Sequence, residues 1–383
     1  DVNKRKAAGS SSDVPAPKKN PRGAAGVRGR AAGVEASLPT PLNDALVESW
    51  GKGQISSAKV QELAAEATAQ GTQGADALGS VKHFRNSQRS LLAAIGKPAG
   101  APDATYIEIP TRKCRCSAHP FLLPHLWLEA LFENSALWAK VATGNEGDAT
   151  RFWSSMQESP MVKHHPVLRA KDYSRAIPLG FHGDGGSFSH QDSLYVFSFN
   201  SLLGSGPTKS QRFVITTIRK SELTPATLDC ILEIVAWSFN VALTGLSPTT
   251  DWKGRACDDK ARYLAGRWLG VLVSVRGDWE FYCSTFGFPN WSSAVNMCWM
   301  CAASTTVAGL MYTDCSRRSG WRATRRTHES WLRELLAAGK SVPLLFAKTV
   351  GLRLESVMID ILHVVDLGVG AHIVANVFWE LVM

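Results

Sequence analysis

The apolar positions between residues 176 and 290 fall into short runs that predict a β-sheet and one long helix. Runs rich in β-branched and aromatic residues indicate strands, and helical spacing after Thr224-Pro225 indicates a helix that begins there. The predicted elements are the strands Ala176–Phe181, Ser193–Leu203 and Arg212–Arg219, the helix Thr227–Leu243 and the strand Trp268–Val275. This order is typical of an α/β protein with a mixed sheet and flanking helices.

The chain between residues 38 and 175 divides into two less regular parts. Residues 38–105 are rich in Ala, Gln, Ser and Gly and predict a weakly helical linker region. Residues 106–175 contain Cys, His and Trp; Tyr106–Ile109 alternates like a strand, and residues 120–142 have an apolar helical face. We therefore expect the folded body to begin near residue 106.

Residues 1–37 form a basic tail. The first 34 residues hold eight Lys or Arg against two Asp, a net charge of +6 out of +9 for the whole chain. Small and polar residues dominate, so the composition predicts disorder. Two clusters, Lys4-Arg5-Lys6 and Lys18-Lys19, resemble a bipartite nuclear localisation signal and also suit nucleic acid, although a merely solvated tail has the same composition. We expect nuclear localisation, with import receptors binding the tail.

Neither a secretory signal nor a membrane span is indicated by the sequence. The most apolar stretches, residues 228–246 and 356–383, are interrupted by charged and polar residues, so no membrane partner is expected. The eight cysteines are accordingly interpreted as free thiols or metal ligands rather than as a disulfide framework.

Two aspartates follow predicted strands. Asp184 lies in His182-Gly-Asp-Gly-Gly, which predicts a Gly-rich turn after the first strand, and Asp278 follows the fourth strand. Carboxylates brought together at one sheet edge suit two divalent cations that promote phosphoryl transfer, with Mg²⁺ or Mn²⁺ as the natural ions. Taken singly, Asp184 also fits a turn residue and Asp278 a helix N-cap.

The chain also has a CxxC motif, at Cys298 and Cys301. Thiolates at this spacing can chelate Zn²⁺. The downstream candidates for the remaining ligands are His363, His372, His328 and Cys315, of which His363 and His372 could come from one folded segment. A redox CxxC and a pair of buried structural thiols are the alternatives. A second cluster, Cys114 and Cys116 with nearby histidines, has a CxC spacing that is less typical of zinc.

The order Gly277-Asp278, Cys298-x-x-Cys301, Asp360-x-x-His363 resembles that of eukaryotic DDE-type DNA transposases, in particular the CACTA-like and Plavaka-like (KDZ-related) groups. The resemblance covers roughly residues 110–383. It implies an RNase H-like mixed sheet, with Asp184 and Asp278 as the first two catalytic acids. It also implies that Cys298, Cys301 and His363 belong to a zinc-binding insertion, which we place at residues 291–383 after the first half of the core at residues 176–290.

The family's third acid has no convincing counterpart. Asp360, Asp366 and Glu380 are the candidates, and Asp360 could instead orient His363. The chain starts at Asp1 and ends at Met383 inside an apolar run, which indicates a truncated, incomplete copy.

A cluster of arginines suits the DNA backbone, because phosphate neutralisation dominates DNA affinity. Its members are Arg317, Arg318, Arg322, Arg325 and Arg326; the alternative is a solvated helix face paired with Glu329 and Glu334. The resemblance implies a protein that cleaves and transfers DNA strands and associates with itself. Two alternatives stay open: a non-catalytic nuclear DNA-binding protein derived from a transposase, and a structural or interaction protein.

Overall fold

The computed structural model describes residues 41–51, 54–73, 75–79, 87–88, 91, 100–168, 173–187, 192–257, 261–358 and 377–379. The predicted basic tail lies outside these ranges, as do Asp360, His363, Asp366, His372 and Glu380. The chain divides into two compact units, Asp1–Gly96 and Lys97–Met383.

The first unit contains helices with a small apolar core of their own. The helices are α1 (Pro41–Gly51), α2 (Ser57–Ala69) and α3 (Asp76–Gly79). Ser56 caps α2 by accepting a hydrogen bond from the Lys59 backbone N–H. Leu46, Val60 and Leu78 are buried in the core. The region predicted to be a weakly helical linker therefore holds packed helices, and the division between the units falls at residues 96 and 97 rather than at 105.

The second unit begins with a β-ribbon and short helices. Strand β1 (Thr105–Ile109) pairs antiparallel with β2 (Ser117–Phe121). The helices that follow are α4 (Pro124–Phe132), α5 (Ser135–Trp138), which continues as a π-helical turn over Ala139–Thr143, α6 (Asp148–Ser155) and α7 (Pro160–Lys163). Pro120, at the predicted start of a helix over residues 120–142, lies in β2 instead, and Pro124 occupies the first turn of α4, where its missing N–H costs nothing.

A four-stranded mixed sheet forms the centre of this unit. Its strands are β3 (Ala176–Ser187), β4 (Ser193–Ser201), β5 (Phe213–Arg219) and β6 (Leu269–Arg276), in the spatial order β5-β4-β3-β6. Strand β4 is antiparallel to both of its neighbours, and β6 pairs parallel with β3. The α/β class and the mixed sheet with flanking helices are confirmed. Because β3, β5 and β6 run in the same direction, their carboxyl ends lie at one edge of the sheet.

Helix α9 (Pro225–Thr244) makes the crossover from β5 to β6, after the short helix α8 (Thr208–Gln211) that precedes β5. Thr224 and Thr227 form a reciprocal cap at its N-terminus, and Gly245 ends it in the left-handed conformation. Among the described residues α9 has the length and hydropathy of a membrane span, but most of it is buried inside the protein. Its apolar side chains, such as Ile231 and Phe239, belong to the main core.

The strand β3 extends further than the sequence predicts. Residues 183–186 continue the antiparallel ladder, with Gly183 opposite Phe197 and Asp184 opposite Val196. The Gly-rich turn predicted after Phe181 is therefore wrong. The pairing with β4 satisfies the backbone of these residues, so their glycines do not end the strand.

Helix α10 (Trp279–Phe286) follows β6. The segment from residue 287 to residue 358 comes next; it has few regular elements and ends beside the sheet. It contains α11 (Gly320–Ala323), α12 (His328–Ala337) and α13 (Leu344–Lys348). Phe288, Trp299 and Trp331 are buried and join the main core. At its end, Val357 bridges Val275 in a parallel arrangement, and the Met358 N–H donates to the Val275 carbonyl at 2.9 Å.

Candidate functional site

The predicted carboxylates lie on adjacent parallel strands. The pairing of β3 with β6 reaches His182 opposite Arg276. Asp184 is two residues beyond His182, and Asp278 is two residues beyond Arg276, so the register carries both to the carboxyl edge. Both side chains are half-buried.

Asp278 also begins the helix α10 (Trp279–Phe286). Its Oδ1 accepts a hydrogen bond from the Phe281 backbone N–H at 2.6 Å, so the N-cap interpretation of this residue is confirmed. The cap does not compete with a metal-binding role, because a carboxylate has two oxygens. It fixes the position of the carboxylate at the end of β6. Asp184, by contrast, lies inside a strand and is not a turn residue.

Glycines beside the aspartates allow the two strands and α10 to approach closely. A Cβ on Gly277 would lie 2.7 Å from the Gly183 carbonyl oxygen, and one on Gly183 would lie 1.9 Å from the Phe281 ring. Side chains at either position would force these elements apart. Phe281 is buried and packs against Phe181 and Phe197 of the sheet. The glycines therefore belong to the site because they bring the two aspartate-bearing backbones together.

A cation lies at the same edge, at the residue that follows β5. Lys220 Nζ is 2.7 Å from Glu280 Oε1 and 5.3 Å from the centre of the Tyr195 ring. The hydrogen bond that Lys220 donates to Glu280 raises the pKa of Lys220, with smaller contributions from Tyr195 and Asp278. Neither Lys220 nor Glu280 is predicted from the sequence. The available signal was the position of Lys220 directly after the third predicted strand, which ends at the same edge as the first and the fourth.

The described residues at this edge include two half-buried carboxylates, those of Asp184 and Asp278. No group of three His, Cys, Asp or Glu side chains arranged to hold a metal ion occurs in the part of the chain that the structure describes. Asp184 and Asp278 fit Mg²⁺, which typically takes one or two carboxylates and keeps several waters. A second ion would need another carboxylate.

The two cysteines of the CxxC motif are adjacent. Cys301 is buried and Cys298 is half-buried, and their thiols interact. Burial raises the pKa of Cys298, so without a metal this thiol stays protonated at neutral pH. Arg326 stabilises the turn, since its guanidinium donates hydrogen bonds to the Cys298 and Cys301 carbonyls at 3.0 and 2.7 Å. This pair fits half of a tetrahedral zinc site.

A cavity beside this pair is also lined by Met358, the last described residue before the predicted histidines. Cys298 and Cys301 line this cavity of about 540 Å³ together with Trp321, Arg325 and Met358. His363 is five residues beyond Met358, within an extended reach of roughly 17 Å. His363 and His372 themselves lie outside the described residues.

The other candidate histidines have structural partners. His328 Nδ1 accepts from the Leu354 backbone N–H, which makes this nitrogen unavailable to zinc. In the second cluster, His125 is buried against Ser238, and His119 hydrogen-bonds Thr216. Cys116, directly before β2, donates a hydrogen bond to Glu108 of β1. Within the described chain, the histidines near Cys114 and Cys116 thus bond to other side chains.

The arginine cluster divides into two kinds of residue. Arg317, Arg318, Arg322 and Arg325 are exposed. Arg326 is half-buried: it bonds the two cysteine carbonyls and forms an ion pair with Glu334 at 2.7 Å. Its guanidinium bonds groups inside the protein, and it pairs with Glu334 as the alternative expects, although it does not lie on a solvated helix face. The DNA contact predicted for Arg326 stays a prediction.

Comparison of the chain with protein-family models, with curated proteins and with solved structures gave no match.

Proposed function

We propose that this protein is a nuclear DNA-processing protein of the DDE transposase type, with an RNase H-like sheet whose carboxyl edge holds Asp184 and Asp278. One observation carries the proposal: the pairing of β3 and β6 directs both aspartates to the same edge although they are far apart in sequence. The strand order supports it further. If the four strands of this sheet are numbered from 1 at β3 in chain order, their spatial order β5-β4-β3-β6 is 3-2-1-4. Strands 1 and 4 are parallel, as an RNase H-like core requires.

The end of the described segment is consistent with a fifth strand beside β6. Val357 pairs parallel with Val275. Asp278 is three residues after Val275, and Asp360 is three residues after Val357 in the sequence. We therefore put Asp360 ahead of Asp366 and Glu380 as the third acid. Its position lies outside the described residues, and its role is part of the proposal.

In the proposed mechanism the protein's own residues position the substrate and the ions. A bound Mg²⁺ or Mn²⁺ would supply charge that activates water and stabilises the leaving oxygen of a phosphodiester. Asp184 and Asp278 hold the ion. The N-cap bond to Phe281 fixes Asp278, and the close approach of Gly183 to Gly277 fixes the separation of the two strands. The catalytic effect would come from positioning and charge rather than from a covalent intermediate.

The CxxC pair is proposed to bind Zn²⁺ with His363 and, as a further ligand, His372. The adjacent thiols and the carbonyl clamp by Arg326 support this assignment. The exposed arginines, Arg317, Arg318, Arg322 and Arg325, would then lie on a zinc-stabilised surface that contacts the DNA backbone.

The test is metal-dependent nicking of supercoiled DNA by the full chain. Asp278→Asn is the informative variant, because Asn retains an N-cap acceptor and removes the charge. Asp251→Asn is a matched control, since Asp251 also bonds nearby backbone N–H groups but lies in a turn after α9. We expect nicking with Mg²⁺ or Mn²⁺ that Asp278→Asn abolishes and Asp251→Asn retains. DNA binding without any nicking would support the non-catalytic alternative, and absence of both would refute the proposal.

A further inference from the structure

The position of Lys220 is determined by packing as well as by its ion pair. A Cβ on Gly185 would lie 3.1 Å from Lys220 Cε and 3.3 Å from Nζ, so the Lys220 stem lies over the backbone directly after Asp184. The ammonium also lies near the Tyr195 ring, whose hydroxyl bonds Ser284 of α10. A glycine at 185 therefore leaves room for a lysine across the strand that carries the first aspartate.

The ion pair between Lys220 and Glu280 is weak enough for Lys220 to exchange Glu280 for another anion. The Lys220 side chain is 36% exposed and that of Glu280 is 68% exposed. Solvent screens such a pair, so it contributes little to stability. A phosphate oxygen offers an ammonium an equivalent charge-assisted hydrogen bond. The lysine can thus leave Glu280 without leaving the edge.

We propose that Lys220 is a phosphate-contact residue at the carboxylate edge, held by Glu280 in the free protein and transferred to a backbone phosphate of the bound DNA strand. This inference rests on the proposed function. Two carboxylates at the edge repel a polyanion, and Lys220 places a cation between the Gly185 backbone of β3 and Glu280 at the start of α10. Glu280 acts as a competitor of the phosphate and so tunes DNA affinity.

Two variants have opposite expected effects. Lys220→Gln should weaken DNA binding roughly tenfold, and it should lower the slope of log affinity against log salt concentration by about one. Glu280→Gln should tighten binding about twofold to fivefold, because no ion pair has to be broken. In the Lys220→Gln background the Glu280→Gln effect should shrink, since the two residues act on each other.

Lys348 offers a matched control. Its ammonium pairs with Glu233 of α9 at 3.6 Å, and its side chain is 54% exposed, but it lies on α13 rather than at the edge. Lys348→Gln should leave both affinity and salt slope close to the wild-type values. Lys220→Arg should retain most of the affinity, because it keeps the charge, and circular dichroism of each variant checks its fold.

The experiment is a salt titration of duplex-DNA binding by the full chain, its Lys220 and Glu280 variants and the Lys348→Gln control. A wild-type protein that shows no salt-dependent binding refutes the proposed function, and the Lys220 inference with it. If the wild-type protein binds and folded Lys220→Gln binds with the same affinity and slope, only the Lys220 inference is refuted. A drop in affinity and slope confined to Lys220→Gln supports it.

Discussion

The carboxylate edge and the segment 287–358 are built on different principles. At the edge, buried apolar strands set the register that brings Asp184 and Asp278 together, and the N-cap bond to Phe281 fixes Asp278. The segment has few regular elements. Side chains bonded to backbone organise it instead, such as Arg326 on the cysteine carbonyls and Ser304 Oγ on the Ala294 carbonyl. A position fixed by register needs no ligand, whereas an irregular turn such as the one at Cys298 and Cys301 would gain stability from a bound metal.

Zinc removal should have the largest effect, because it should unfold one region and leave the other folded. If Zn²⁺ joins Cys298 and Cys301, a strong chelator or Cys298→Ser/Cys301→Ser should unfold the segment locally. Limited proteolysis should then cut within residues 287–358, while the sheet stays protected. Metal content measured by mass spectrometry should fall from one zinc per chain to none. Purified protein without zinc, or identical proteolysis after chelation, contradicts the assignment.

The next effect concerns the packing of the edge. Phe281→Ala should lower the free energy of unfolding by about 3–5 kcal/mol, because it empties a buried site against Phe181 and Gly183. Tyr312→Ala is the comparison in the segment, since Tyr312 is 48% exposed and should cost well under 1 kcal/mol. Denaturant unfolding measures both. Equal losses would show that the edge is not the more tightly packed region.

Acid should destabilise the second unit through buried histidines. Burial lowers the pKa of His125 to about 3 and that of His165 to about 4, from 6.5 in an unfolded chain. Below pH 6.5 these histidines are protonated in the unfolded chain but stay neutral in the folded one. The free energy of unfolding that they contribute above pH 6.5 is therefore lost as the pH falls toward 3. His125→Gln should remove part of this loss, roughly 5 kcal/mol at most. A variant with the same pH dependence as the wild-type protein contradicts this account.

The arginine cluster gives the smallest effects. Arg326→Gln should cost about 1–3 kcal/mol of local stability, because the cysteine carbonyls lose a charged donor. Arg318→Gln should leave stability unchanged and weaken DNA binding a fewfold, with a reduced salt slope. Thermal unfolding and DNA titration of both variants separate the roles. The opposite pattern would mean that Arg326 rather than Arg318 faces the DNA.

The sequence predicted the sheet well because each strand is a compact apolar run bounded by turn residues. All four strands and the helix α9 were found, and the cap at Thr224 was visible in the sequence. The length of β3 was not, since glycines at 183, 185 and 186 resemble a turn. They serve instead the close approach of Phe281 and Lys220. Phe281 and Lys220 are distant in sequence from these glycines, so the local sequence pattern cannot show why the glycines are there.

The candidate site was predicted only where chemistry coincided with strand ends. Asp184 and Asp278 follow from this rule, and Lys220 would also have followed if the ends of all parallel strands had been compared. Arg326 could not be told apart from its exposed arginine neighbours in the sequence, and only the fold shows that its guanidinium bonds the cysteine carbonyls and Glu334. Residues of irregular segments are the hardest case, because their partners are set by single side-chain contacts.

Binding of Mn²⁺ to the full chain tests the shared carboxylate edge most directly. Titration followed by electron paramagnetic resonance should show an ion bound to the wild-type protein. Asp184→Asn and Asp278→Asn should each abolish this binding, and the double variant should lose no more than either single one. Unchanged Mn²⁺ binding in folded Asp184→Asn or Asp278→Asn would contradict the claim that the two aspartates hold one ion.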